Sequence, residues 1–339
     1  MRRMADGFAA VRHAELELSG EWNAAVHEPL LARFGWEDFT EEELRLCPPL
    51  VVVGGDGAML DIGLQNLSRL LASGKPLKVV VLDTQVYSNT GGQACTSSFL
   101  GQVADMSPWG QGPGGSHGKR EQRKELALLA IAHRNVFVLQ SSQAAPGHLL
   151  AGVLRGLASP RPAVFNLYTP CQAEHGLPES GSTRAARLAL ESRAFPFLVY
   201  DPDAGETLAE RLSLDGNPAG GARWPTTKVT TPAGDGSSVT MELPLTTADW
   251  AATEPRFERH FHELAAEEQA RAVPLHELLE KPAEARDGAV PFVHARRRDG
   301  SPSRLAVSRE MVALCEDRAS LWALLREMAG REPLPAHAS

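Results

Sequence analysis

The sequence predicts an α/β fold, a mostly parallel sheet with helices on both faces, followed by a smaller and irregular α+β extension. Three observations carry this expectation. Short, continuous apolar runs (Val51–Val53, Val79–Leu82 and Ala163–Tyr168) alternate with helix-patterned stretches, which is how strands buried on both faces read. The first two runs lead into Gly54-Gly55-Asp56-Gly57 and Asp83-Thr84. Polar side chains thus gather at strand carboxyl ends, where open parallel sheets bind ligands. Beyond residue 200 the alternation gives way to Gly-, Pro- and Thr-rich chain with isolated elements.

The elements follow in order. Residues 1–47 read as a helical, amphipathic segment in which Thr40-Glu-Glu-Glu43 forms a capping box ahead of Pro48. Residues 48–200 form the α/β domain. Its strands are expected at 49–53, 78–82, 135–139, 163–168 and 195–200. Helices are expected at 60–72, with Leu60, Leu64, Leu67, Leu70 and Leu71 on them, and at 125–133, 146–158 and 183–192. ADMSPWGQGPGGSHG at 104–118 can only be a loop, and a loop of that length inside a compact domain is usually functional or mobile. Residues 201–339 form the extension. It opens on an irregular excursion at 215–238, then a helix at 254–271 carrying Phe257, Phe261 and Leu264. A hairpin of 290–295 with 303–307 turns at Asp299-Gly300, and a helix at 309–329 closes the chain.

Composition removes several function classes. The 339 residues carry a formal net charge of −8, so no nucleic-acid surface is expected. The longest apolar runs fall far short of a membrane span, and MRRMADGFAA has no apolar core of a signal peptide. Cys47, Cys95, Cys171 and Cys315 stand far apart with no C-x-x-C pair, which is neither a zinc module nor a disulfide framework. A reduced, cytoplasmic setting is the expectation. His260 and His262, two apart on an expected helix, would face different sides and make no metal pair.

The chemistry concentrates between Gly54 and Gly92. A Gly-Asp-Gly turn lets backbone approach a diphosphate, and Asp56 can hold a hard cation through oxygen. Alone, the tripeptide reads as a tight turn. With Asp83-Thr84 closing a second strand, a magnesium ion bridging to a diphosphate such as thiamine diphosphate becomes the better reading: Asp56, Thr84, a carbonyl, a water and two diphosphate oxygens would complete an octahedral shell. The Asn89 amide can donate to a developing oxyanion, or cap a turn. Cys171 ends an apolar strand, where a buried free cysteine serves as a small hydrophobe.

GGDGAMLDIG at 54–63, LASGKP at 71–76, VLDTQVYSNTGGQ at 81–93, HGKR at 117–120 and LYTPCQAEHGL at 167–177 together resemble the thiamine-diphosphate domain of pyruvate:ferredoxin (flavodoxin) oxidoreductases, the 2-oxoacid:acceptor oxidoreductases. The resemblance implies the thiamine-diphosphate-binding fold, with cofactor contacts at Gly55, Asp56, Gly57, Ala58, Thr84, Val86 and Asn89. It implies magnesium on Asp56, Thr84 and the Val86 carbonyl, and Asn89 beside the thiazolium carbon, touching the 2-oxo acid. It makes Cys171 the fourth ligand of a shared [4Fe-4S] cluster, with no matching cysteines for the other three; Cys95 falls where the family carries a small residue and is expected not to ligate. A positive charge at His117-Gly-Lys119-Arg120 could face the diphosphate or coenzyme A, or be a solvated basic run. The implied reaction is oxidative decarboxylation of a pyruvate-like 2-oxo acid to an acyl-CoA, with electrons passing through iron–sulfur clusters to ferredoxin or flavodoxin. The pyrimidine-binding domain and the remaining iron–sulfur ligands would come from a partner subunit or an absent amino-terminal portion. A non-oxidative thiamine-dependent decarboxylase component and a non-catalytic cofactor-binding scaffold remain alternatives.

Overall fold

A computed structural model describes residues 2–105, 118–219, 222–232, 238–297 and 299–333. The chain divides into two compact units, Met1–Leu50 and Val51–Ser339. In the first, helices α1 (Arg2–Ser19), α2 (Ala24–Arg33) and α3 (Glu41–Leu46) meet around Phe8, Phe34 and Phe39. Arg12 lies over the Phe34 ring and pairs with Glu43 at 2.6 Å. The capping box forms as expected: Thr40 Oγ1 accepts from the Glu43 amide at 3.2 Å, and the Glu43 carboxylate accepts from the Thr40 amide at 2.7 Å.

The second unit is built on a six-stranded sheet of β1 (Leu50–Gly55), β2 (Leu77–Asp83), β3 (Phe137–Ser142), β4 (Ala163–Tyr168), β5 (Leu198–Tyr200) and β6 (Leu212–Ser213), in the order β1-β2-β4-β3-β5-β6. β2, β4 and β3 run parallel, while β5 and β6 add antiparallel. Helix α4 (Leu64–Ala72) and α5 (Leu126–Ile131) cover one face, packing Leu67, Leu71, Leu126 and Ala130 on Val79, Val81, Val138 and Val164. On the other, α6 (Pro146–Ala158) sits so close that a Cβ on Gly156 would come within 2.4 Å of Phe165. Lys78, buried on β2, donates to the carbonyls of Ser159 and Arg161 at 2.6 and 2.8 Å and so ties β2 to the turn before β4.

Residues on both sides of position 200 share one core, in which Phe99, Tyr168, Phe195 and Phe197 pack with Trp250, Phe257, Leu275, Met311 and Leu314. Two expectations in this region are corrected. The stretch 254–271 is not a helix: it is a 3₁₀ turn (Pro255–His260), a strand (Phe261–Glu263) and a second 3₁₀ turn (Ala266–Arg271). Pairing of Phe261–Glu263 with Leu305–Val307 overrides the helical spacing of Phe257, Phe261 and Leu264. The excursion at 215–238 contains a strand, Thr226–Pro232, paired antiparallel with Ser238–Pro244, as its β-branched Thr and Val residues favour. The hairpin of Val290–Arg296 with Pro302–Val307 and the helix Arg309–Met328 form as expected. Most of the loop expected at 104–118 lies outside the described residues.

Candidate functional site

Asp56 and Thr84 stand just past the ends of β1 and β2. The chain leaves β1 through a π-helical turn, Ala58–Ile62, before α4 begins, so the helix expected from residue 60 starts later; such turns recur at functional sites. Gly57 lies against the Tyr87 ring, and a Cβ there would fall 2.3 Å from Tyr87 Cε1. Tyr87 in turn donates to Asp61 at 2.5 Å. Asp61 also accepts from the Thr96 hydroxyl and lies 3.7 Å from Lys124. Burial pushes its carboxyl up, but the bonds from Thr96 and Tyr87 hold it below the ordinary range. Gly57→Ala is expected to displace the ring and break this bracket. Overpacking of that kind costs about 1–3 kcal/mol, measurable by urea unfolding.

Three oxygens converge beside Asp56. Thr84 Oγ1 lies 3.2 Å from Asp56 Oδ1 and 3.0 Å from the Val86 carbonyl oxygen, and Ser88 Oγ donates to it at 2.9 Å. Asp56 is buried. A threonine hydroxyl has one proton and cannot serve a carboxylate and a carbonyl fully at once. A cation satisfies all three oxygens together. Adjacent ligands on an octahedron with magnesium's bond lengths lie about 2.9 Å apart, close to the spacings observed. The donor set, all oxygen with one carboxylate, therefore fits magnesium.

The turn joining two of these oxygens is unusual. Gln85 has φ +62° and is fully buried, and neither amide atom of its side chain has a partner. Its left-handed backbone lets the Val86 carbonyl fold back onto the Thr84 hydroxyl. The turn is held from outside: Ser98 Oγ and Gln102 Nε2 donate to the Gln85 carbonyl at 2.6 and 2.9 Å, and His175 Nε2 donates to the Thr84 carbonyl at 2.7 Å. Since a carbonyl only accepts, His175 carries its proton on Nε2. Burial, then the Arg256 guanidinium, push its pKa well down, so it is neutral. Its Nδ1 faces Glu254 at 3.8 Å, and Glu254 is held by Arg256 at 2.5 Å.

A second buried charge chain supports the end of β2. Asp83 pairs with Arg123 at 2.5 Å, and Arg123 also donates to the Ser97 carbonyl at 2.7 Å. Glu125 bridges Arg123 to Arg318. Burial pushes the Asp83 carboxyl up to about 6 against the pull of Arg123, which leaves it ionised at neutral pH. Residues 254–318 thus brace the site from behind.

The other expected site residues separate. Gly55 and Ala58 flank the buried pair Asp56-Gly57 and are exposed. Asn89 is exposed in a 3₁₀ turn, Ser88–Thr90. Gly92 (φ +83°) lies where a Cβ would fall 2.2 Å from Glu174, so it accommodates that carboxylate. Lys119 is buried with Nζ on the carbonyls of Thr96 and Ser98 at 3.1 and 2.8 Å, so it is not part of a solvated basic run, while Arg120 is exposed. His117 lies outside the described residues. Cys171 is half-buried and precedes helix α7 (Gln172–His175). Among the described residues no group of three or more His, Cys, Asp or Glu could hold a metal, so other ligands of a cluster at Cys171 would lie outside them. Nor is any described helix long and apolar enough to cross a membrane. Sequence reading missed His175, Arg123, Glu254 and Arg318, and it set Cys95 aside, although its thiol donates to Asp56 Oδ2 at 3.3 Å.

Part of the chain is similar to known proteins. Residues 44–167 match the family model of the thiamine pyrophosphate enzyme, C-terminal TPP binding domain. The chain is 33% identical over 165 residues to pyruvate:ferredoxin oxidoreductase of Moorella thermoacetica, covering 48% of this chain and 13% of that protein. It is 34% identical over 165 residues to a pyruvate-flavodoxin oxidoreductase of Trichormus variabilis, covering 48% and 13%. It is 30% identical over 209 residues to that of Rhodospirillum rubrum, covering 61% and 16%. The chain therefore spans only about a seventh of the length of these relatives. Residues 44–167 are thus similar to the C-terminal TPP binding domain of thiamine pyrophosphate enzymes and to the corresponding stretch of pyruvate:ferredoxin and pyruvate-flavodoxin oxidoreductases.

Proposed function

We propose that this chain holds the magnesium-bound diphosphate of thiamine diphosphate within a larger 2-oxoacid oxidoreductase. The observation that carries the reading is the convergence of Asp56 Oδ1, Thr84 Oγ1 and the Val86 carbonyl around one hydroxyl proton. Asp56 would supply the negative charge, and Thr84 and Val86 neutral oxygens; Gly55, Gly57 and Ala58 would line the diphosphate. Bound thiamine diphosphate would supply the electron-accepting thiazolium that decarboxylation of a 2-oxo acid requires.

Asn89, exposed on the turn after these ligands, would donate its amide to the carbonyl oxygen of the 2-oxo acid as charge develops there. The aminopyrimidine end of the cofactor needs a partner domain, so the chain would act as a subunit or portion of the enzyme. Coenzyme A would accept the acyl group. Electrons would leave through iron–sulfur clusters, one of them ligated by Cys171, to ferredoxin or flavodoxin.

The test is an assay of the native complex that contains this chain. It is expected to reduce methyl viologen with pyruvate or another 2-oxo acid, dependent on coenzyme A and thiamine diphosphate. Carbon dioxide release without viologen reduction would overturn the oxidative reading in favour of a decarboxylase. Absence of both would overturn the enzymatic one.

A further inference from the structure

Cys95 connects the two turns on which the proposed metal site depends. It is 5% exposed, and its thiol donates to the Asp56 carboxylate. Its Sγ lies 3.3 Å from Asp56 Oδ2, and the Ser97 hydroxyl donates to that same oxygen. Cys95 Sγ and Ser97 Oγ are 2.9 Å apart. Oδ2 is thus occupied by two donors, while Oδ1 faces Thr84 at 3.2 Å. The Cys95 amide meanwhile donates to Ser98 Oγ at 3.0 Å, and that hydroxyl donates to the Gln85 carbonyl at 2.6 Å. One residue therefore reaches Asp56 through its side chain and the Thr84–Val86 turn through its backbone. The shelf that carries it is pinned: Lys119 binds the carbonyls of Thr96 and Ser98, and Arg123 that of Ser97.

We propose that Cys95 is a positioning residue for the metal, its thiol loading Asp56 Oδ2 so that the carboxylate offers Oδ1 alone to magnesium. The inference rests on the metal-binding reading above. Magnesium demands near-ideal octahedral geometry, which a carboxylate gripping through both oxygens would spoil. Partners that orient a ligating group in this way typically cost 10–100-fold in metal affinity when removed. Thiol and hydroxyl both donate, whereas an isopropyl group fills the space and donates nothing.

The experiment compares the full chain with Cys95→Ser and Cys95→Val by calorimetric titration of magnesium at saturating thiamine diphosphate, alongside thermal unfolding in EDTA. Cys95→Val is expected to bind magnesium about tenfold more weakly, and Cys95→Ser to stay within about threefold of the natural chain, with both unfolding near the natural midpoint. A pure packing role predicts the reverse order, because valine keeps the apolar character of a buried thiol while serine puts a smaller, polar group in its place; valine binding as well as or better than serine overturns the inference. Should Cys95→Val fail to fold, Ser97→Ala removes the second donor on the same oxygen and is expected to weaken magnesium comparably; unchanged binding there overturns the inference too. If the natural chain binds no magnesium with thiamine diphosphate, the metal-site reading itself falls, an outcome separate from equal binding by all variants.

Discussion

Asp56→Asn is expected to abolish magnesium-dependent binding of thiamine diphosphate, by about 100-fold or more, without unfolding the protein. The carboxylate is the only charged group among the three converging oxygens, and a hard divalent cation held by neutral oxygens alone loses most of its attraction. No described cation pairs directly with Asp56, whereas the Asp83 carboxylate is near enough to be raised by it. Removing that buried charge relieves the repulsion with Asp83 and gives up attraction to Arg123, two opposed changes, so the magnesium-free variant is expected to melt near the natural temperature. Loss of ligand binding with no loss of stability marks a residue held in place for function. Thermal unfolding with and without magnesium and thiamine diphosphate measures both effects: ligand should raise the natural midpoint, as binding to the folded state must, and leave the Asp56→Asn midpoint unmoved.

Arg123→Met should have the largest effect on stability. Arg123 is buried between Asp83 and Glu125 and holds the Ser97 carbonyl. Its removal leaves Asp83 with no cationic partner among the described residues, which typically costs 3–5 kcal/mol. Glu125 keeps Arg318 at 2.7 Å, so the damage centres on Asp83. The pH dependence has a definite sign. Because burial raises the folded Asp83 pKa to about 6, above its unfolded value near 3.9, the folded state binds more protons in that window, and this group's contribution to stability grows as pH falls from about 6 towards 4. Without Arg123 the folded pKa rises further, so the variant should regain stability on acidification from a higher starting pH. Asp83→Asn combined with Arg123→Met should recover part of the loss at neutral pH. Urea unfolding between pH 5 and 8 measures each; equal stability of the single variant and the natural chain would contradict the account.

Local signals made part of this arrangement legible in the sequence. Asp56 and Thr84 each follow an apolar strand, and β1 and β2 are neighbours in the sheet, so the two ligand candidates come together once the strands pair. Thr84 and Val86 are two residues apart, and their convergence needs only the left-handed Gln85 between them. What stayed hidden is non-local. Arg123 and Arg318 meet at Glu125, and His175 reaches Thr84 across 91 positions; buried ion pairs and lone histidines leave no periodic trace. Cys95 looked incidental because its role depends on a contact with Asp56, 39 residues away. The stretch 254–271 misled for a related reason: of the apolar residues at helical spacing, Phe257 lies in a 3₁₀ turn, Phe261 in a strand that pairs with Leu305–Val307, and Leu264 in the link after it.

The central claim is tested most directly by a crystal structure of the chain soaked with manganese, a magnesium substitute visible by anomalous scattering, and thiamine diphosphate. The account predicts one strong anomalous peak about 2.0–2.3 Å from Asp56 Oδ1, Thr84 Oγ1 and the Val86 carbonyl, with Asp56 Oδ2 still bonded to Cys95 and Ser97 and diphosphate oxygens completing the shell. A peak elsewhere on the molecule, or ordered cofactor with no metal between these three oxygens, would contradict it.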